Sequence, residues 1–415
     1  MKTSTVKGTN DWLPSETRLR DYIQNTILET YINNGFNHIS TPAIEDAENL
    51  DKSDGGENLN LIFKILKRGD KLDEAVNAVK TGKSTNELSD MGLRYDLTLP
   101  LTRFFANNRD KLVMPAKCIQ IDRVYRAERP QKGRMREFIQ CDIDILGSKS
   151  PCCETELINV TAEALLNIGF SDFRIKINDR RILRAVLENL GFAADTLDSV
   201  CISFDKLDKI GADGVAEELT GKGFPANAVE GLKNMLAGEL PDLDAIRGML
   251  DNTEYVDRLA SIMETSTELA DGRYSIVFDL SLVRGQGYYT GTVFEIESPK
   301  FRGAIGGGGR YDNLVGKFIG EDVPAVGFSI GFERIFSILQ ETGYKIPTAR
   351  KQVALIFKEQ DFAQAAKKAK ELREEYDVSL FEFPKKLGKF LDRLTERGYY
   401  GFMVYGEADG IKTLS

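Results

Sequence analysis

Histidine is almost missing from this 415-residue chain, which has His38 and no other. That excludes a zinc centre built on several imidazoles and leaves little room for Ser-His-Asp or Cys-His nucleophiles. His38 lies in the extended-looking segment GFNHISTPAIE, where a structural part is the simpler reading. Cysteine is scarce as well. Cys118, Cys141, Cys152, Cys153 and Cys201 form no C-x-x-C pair, and adjacent Cys152 and Cys153 make a poor disulfide framework, so free thiols are expected. No apolar run reaches membrane-spanning length, and the opening MKTSTVKGTNDWLPSE lacks the apolar stretch of a secretory signal. A cytoplasmic location without membrane attachment is expected. Excess positive charge is lacking too: 64 Asp and Glu face 55 Lys and Arg, which argues against broad nonspecific steering of nucleic acid. The chemistry left to the chain is that of arginine, carboxylate, tyrosine and backbone amides.

The length calls for two or three domains. A content of 42% hydrophobic and 29% charged residues is that of a soluble globular enzyme. Leu19, Tyr22, Ile23, Ile27, Leu28 and Tyr31 follow a helical spacing, and Gly35 ends that helix. GFNHISTPAIE then reads as a strand broken at Pro42. The charged, weakly periodic residues 66–92 read as a surface insertion, partly helical. Residues from about 180 to 270 are helical in pattern and lie between two β-rich halves. After Pro347, short strands and helices alternate as in a small α/β domain.

The acidic chain nonetheless concentrates Arg123, Arg126, Arg129, Lys132, Arg134 and Arg136 within RVYRAERPQKGRMREF, residues 123–138. The next residues alternate: Ile139, Cys141, Ile143 and Ile145 face one way, and Phe138, Gln140, Asp142 and Asp144 the other. Period two marks an antiparallel strand with one face on a core. An amide and two carboxylates opposite a cationic turn suggest a polar floor for a zwitterionic or anionic ligand.

Two further stretches invite weighing. The glycine run 306–309 lacks the Lys-Ser/Thr of a P-loop and the spacing of a dinucleotide loop, so close backbone approach to a ligand or a neighbouring strand fits better. GFERIFSIL places Arg334 at the start of an apolar helix, which the helix dipole disfavours, so an anion or an aromatic ring is its expected partner.

Together these stretches resemble the class II aminoacyl-tRNA synthetases, specifically the histidyl-tRNA synthetase family, over nearly the whole length. GTNDWLPSE resembles the family's N-terminal signature and GFNHISTPAIE, with Pro42, its motif 1. RVYRAERPQKGRMREFIQCDIDILG is similar to motif 2 in its histidyl form, LVRGQGYYTGTVFE to the histidyl-specific segment, and AVGFSIGFER to motif 3. INDRRILRAVLENLG and DKLDKIG look family-like as well. Motif 3 is weak alone, whereas ERPQKGR followed by RGxxYYTGTVFE is highly specific.

The resemblance implies an α/β (α+β) fold: a mainly antiparallel class II core over residues 1–175 and 271–345, a helical insertion over 176–270, and a C-terminal α/β anticodon-binding domain over 350–415. It implies a histidine–tRNA ligase that joins L-histidine to ATP and passes the aminoacyl group to tRNA(His). ATP is expected as its magnesium complex, with no dedicated protein metal site, and a homodimer is expected through motif 1. By position, Arg126 and Arg284 match the arginines at the carboxylate and α-phosphate. Phe138 and Arg334 match the pair that sandwiches adenine. Asp96, Thr98 and Gln140 match the ammonium-binding residues, and Asp144, Tyr288 and Tyr289 the imidazole pocket. Gln131, Lys132 and Arg134 match the loop that meets the tRNA acceptor end.

The chain departs from the family in carrying RGQGYY at 284–289, where RGLDYY is common, and in stopping at GIKTLS, which reads as a shortened C-terminal domain. Two rivals stand beside the ligase. One is the non-catalytic regulatory subunit of ATP phosphoribosyltransferase in histidine biosynthesis, which usually lacks a C-terminal domain and part of the arginine set. The other is a tRNA-binding sensor without charging activity.

Overall fold

The computed structural model describes residues 1–52, 61–130, 134–283, 289–347, 349–407 and 410–414. The chain divides into two compact units, Met1–Gly343 and Tyr344–Ser415.

Strands in chain order are β1 (Asn37–His38), β2 (Ile44–Asp46), β3 (Lys64–Leu66), β4 (Ser89–Leu93), β5 (Ala116–Tyr125), β6 (Glu137–Leu146), β7 (Arg174–Asp179), β8 (Ser275–Phe278), β9 (Thr292–Ser298), β10 (Phe301–Arg310) and β11 (Ala325–Gly331). The large sheet has the order β1-β5-β6-β11-β10-β9-β7-β8. Its two outermost pairs, β1 with β5 and β7 with β8, are parallel, and every pair between them is antiparallel. Ile119, Cys141, Ile143, Ile145, Ile296, Phe328 and Ile330 are buried at its centre.

The first helix, α1 (Pro14–Asn33), starts where Pro14 fixes φ and Glu16 accepts a 2.7 Å hydrogen bond from the Leu13 amide. Leu19, Ile23, Ile27 and Tyr31, one helical turn apart, are buried, and Gly35 leaves the helix at φ 82°. Residues 66–92 are less detached than their charge suggests. A helix, Asp70–Lys80, is carried between β3 and β4, and β4 is the central strand of a three-stranded antiparallel sheet with β2 and β3 on either side. Strands of three residues leave too little periodicity to be read from sequence. Helices from Arg180 to Ala270 connect β7 to β8, as their apolar spacing predicts.

The second unit has β12 (Gln352–Phe357), β13 (Asp377–Glu382), β14 (Gly401–Val404) and β15 (Lys412–Thr413) in the order β13-β12-β14-β15. Leu355, Phe357, Ala365, Ala369 and Met403 form its core against the helix Phe362–Leu372. No helix among the described residues is long and apolar enough to cross a membrane.

Candidate active site

A cavity of about 330 Å³ opens over β6, β10 and β11 in the first unit. It brings together eight of the residues singled out in the sequence: Asp96, Thr98, Arg126, Phe138, Gln140, Asp144, Tyr289 and Arg334. Arg134 lines an adjoining cavity with Arg126, Phe138 and Arg334, and pairs with Glu128 at 3.5 Å. Gln131, Lys132, Arg284 and Tyr288 lie outside the described residues.

Arg126 leaves the end of β5, where its backbone amide donates to the Arg136 carbonyl across the hairpin at 2.9 Å. Its Nε donates to the Tyr95 carbonyl at 3.0 Å, and its Cζ sits 5.0 Å from the Phe138 ring centre. A guanidinium held by one edge and stacked on a ring keeps its remaining N–H groups for a ligand's oxygens. The other cations of the basic stretch divide their work. Arg123 pairs with Glu137 at 3.2 Å, and Arg136 donates to the Glu128 carbonyl at 3.2 Å, so these two serve the hairpin.

Asp96 precedes the helix Thr98–Asn108, and its Oδ1 accepts from the Leu99 amide at 3.2 Å, which fixes the carboxylate at a helix start. Arg94 anchors this turn, though its sequence gave no sign of burial. It is 1% exposed, bridges to Asp122 at 2.7 Å and donates to the carbonyls of Arg123 and Thr41. Arg334 has the aromatic partner its helix position calls for: its Cζ lies 5.4 Å from the Phe301 ring centre, and Nη1 donates to the Ala304 carbonyl.

The floor is acidic and buried. Asp142 and Asp144 on β6 are 6% and 5% exposed. Burial pushes the Asp144 carboxyl up to about 7, against the hydrogen bond from Tyr311, which lowers it, while Asp96 raises it further. Asp142 is held well above the usual carboxylate range by burial first and Asp144 second. Tyr311 and Ser329 join this floor without having been singled out in the sequence. Tyr311 follows the glycine strand directly, and strand parity on β11 sets Ser329 opposite Asp142.

The glycine run is a strand wall, not a phosphate loop. A Cβ on Gly308 would stand 2.0 Å from the Gly327 carbonyl oxygen, and one on Gly306 2.8 Å from that of Ser329. Gly306, Gly307 and Gly308 also line the cavity. The same residues therefore permit both close strand pairing and a ligand-facing backbone.

The arrangement can hold a zwitterion against carboxylates at one end and an oxyanion against guanidinium groups at the other. The family model described as histidyl-tRNA synthetase matches residues 8–335. The chain belongs to the histidyl-tRNA synthetase family. It is 44% identical over 346 residues to a histidine–tRNA ligase of Leifsonia xyli, covering 80% of this chain and 79% of that one. It is 35% identical to the histidine–tRNA ligase of Christiangramia forsetii, covering 98% and 93%. The crystal structure of histidyl-tRNA synthetase from Nostoc sp. PCC 7120 superposes with a TM-score of 0.79 at 28% identity, over 97% of this chain and 91% of that one. The large sheet is thus the class II synthetase sheet, as family membership implies.

Proposed function

We propose that the protein is a histidine–tRNA ligase: it forms histidyl-adenylate from L-histidine and ATP, then transfers the histidyl group to tRNA(His). The observation that carries this reading is the meeting in one cavity of Arg126, Phe138 and Arg334 with Asp96, Gln140 and Asp144, in a chain of this family.

In the first step the histidine carboxylate attacks the α-phosphate in line and pyrophosphate leaves. Negative charge gathers on the phosphoryl oxygens, so cations already in place lower the barrier most. Arg126 bridges carboxylate and phosphate, and Arg284 is its expected second. Phe138 and Arg334 flank adenine. Asp96, Thr98 and Gln140 take the ammonium. Asp144 faces one imidazole nitrogen, and Tyr289 with Tyr288 the other; an apolar competitor would leave these buried groups unpaired. ATP arrives as its magnesium complex. Gln131, Lys132 and Arg134 meet the acceptor end of the tRNA, and residues 350–415 its anticodon. The working form is a cytoplasmic homodimer, with the catalytic core split into residues 1–175 and 271–345 around the helical insertion 176–270.

Arg126 and Arg334 at the cavity, together with the second compact unit, favour the ligase over the regulatory-subunit reading. Histidine-dependent exchange of labelled pyrophosphate into ATP, followed by charging of tRNA(His), tests the proposal. Absence of exchange in the purified, folded protein refutes it.

A further inference from the structure

Arg310 ends β10, one residue before Tyr311, and is 2% exposed. Its Nε and Nη2 each donate at 2.7 Å to the two carboxylate oxygens of Glu154, on the first turn of the helix Cys152–Asn167. Glu154 is 0% exposed. Successive residues of a strand point to opposite faces, so Arg310 turns away from the side on which Tyr311 lines the cavity.

From that far side the pair holds both cavity-lining tyrosines. Arg310 leads directly into Tyr311, and its carbonyl accepts the Thr290 amide at 2.7 Å, which fixes the residue after Tyr289. The Thr290 hydroxyl accepts from the Asp312 amide at 3.1 Å, and Asp312 Oδ1 accepts from Arg310 Nη1 at 3.2 Å. Thr292, fully buried at the start of β9, sets its hydroxyl 3.4 Å from Glu154 Oε1. One carboxylate thus ties together the two segments that deliver Tyr289 and Tyr311, whose side chains pack in a common cluster. Stability alone does not call for such a pair, since apolar residues of the same volume serve a core as well or better. What a two-armed, charge-assisted bond adds is direction, because it fixes where Arg310 and its neighbours stand.

We propose that Glu154 and Arg310 are positioning residues for histidine recognition: without touching the substrate, they hold Tyr289 and Tyr311 in place at the imidazole end of the cavity. This rests on the histidine-activation reading above.

The test uses the full chain and the double variant Glu154→Gln with Arg310→Gln, which leaves neither partner's charge stranded. Arg258, which also approaches Glu154 at 3.4 Å, keeps its bond to the Lys149 carbonyl at 2.8 Å. Histidine binding is measured by calorimetry without ATP, and KM for histidine and for ATP by pyrophosphate exchange. Histidine should bind at least about tenfold more weakly, since a misplacement of about 1 Å can cost about 100-fold. KM for ATP should stay within about twofold, because uniform damage to the site would move it too. Thr290→Val keeps the shape and removes the hydroxyl linked to Asp312. It should weaken histidine binding by at least about threefold, and it decides the matter should the double variant not fold. A lower melting temperature with unchanged histidine affinity marks a purely structural pair and overturns the proposal, as does an equal change in both KM values. If the parent protein binds histidine but exchanges no pyrophosphate, the ligase reading falls, and the calorimetry alone decides the role of the pair. A parent that binds no histidine overturns both.

Discussion

The Tyr311 hydroxyl donates a 2.6 Å hydrogen bond to Oδ1 of Asp144, with both side chains buried at the foot of the cavity. This bond favours the ionised carboxylate that burial disfavours. Tyr311→Phe should therefore raise the Asp144 pKa above its present value. The acid limb of kcat/KM for histidine should move up by about one pH unit, with little change at high pH. An unmoved limb would show that Asp144 does not need to be ionised for binding.

The same carboxylate has a signature in stability. Its folded value is about 7, against roughly 3.9 in an unfolded chain. Between these, the folded chain keeps a proton that the unfolded chain has lost, so this group's contribution to stability declines as pH rises through the window. Asp144→Asn removes that dependence. Melting temperatures of variant and parent should be close near about pH 4 and diverge in the variant's favour up to about pH 8. A constant gap across the range would contradict the account.

Arg20 and Glu333 form a two-armed ion pair at 2.6 and 2.7 Å, tying α1 to the helix that carries Arg334. Their side chains are 10% and 8% exposed, and the Trp12 ring lies 4.2 Å from the guanidinium carbon. Glu333→Gln leaves Arg20 buried and uncompensated, at a cost of about 3–5 kcal/mol. Denaturant unfolding should show the midpoint falling with an unchanged slope. A loss below about 1 kcal/mol would place the pair among exposed ones.

Arg284→Ala and Arg126→Ala should each lower the rate of adenylate formation by about 100- to 1,000-fold, the range found when one donor to a developing oxyanion is removed. Single-turnover formation of histidyl-adenylate measures this directly. Full activity in Arg284→Ala would remove the guanidinium mechanism.

Gly308→Ala should destabilise the first unit by about 1–3 kcal/mol or more, because the obstacle to its Cβ is the Gly327 carbonyl rather than a movable side chain. Gly388→Ala is the control: nothing lies within 4 Å of its added Cβ, and the residue is helical. It should be neutral or stabilising by up to about 1 kcal/mol. Equal melting temperatures for the two variants would show that β10 and β11 can part at little cost.

Local pattern accounts for what the sequence made legible. The alternation through Ile139–Ile145 announced β6 and its polar face because period two needs no knowledge of neighbours. The spacing of Leu19, Ile23, Ile27 and Tyr31 announced α1 for the same reason. Arg334 beside Phe301 answers a mismatch visible in one dimension, a cation at a helix start. What stayed hidden depends on pairing across distance. Asp122 buries Arg94, and without that partner an arginine reads as surface. Tyr311 gains its place only when β11 is set beside β6. Glu154 and Arg310 stand 156 residues apart, and nothing local marks either as the other's partner.

Gly306, Gly307 and Gly308 give one wall of the cavity no side chains at all. What that wall offers a ligand is amide and carbonyl dipoles, and a side chain added at Gly306 or Gly308 would push strands apart. Breeding a new substrate preference into this enzyme is therefore directed to the lining positions that carry side chains, such as those on β6. The glycine wall acts as a fixed gauge against which any altered pocket must be cut.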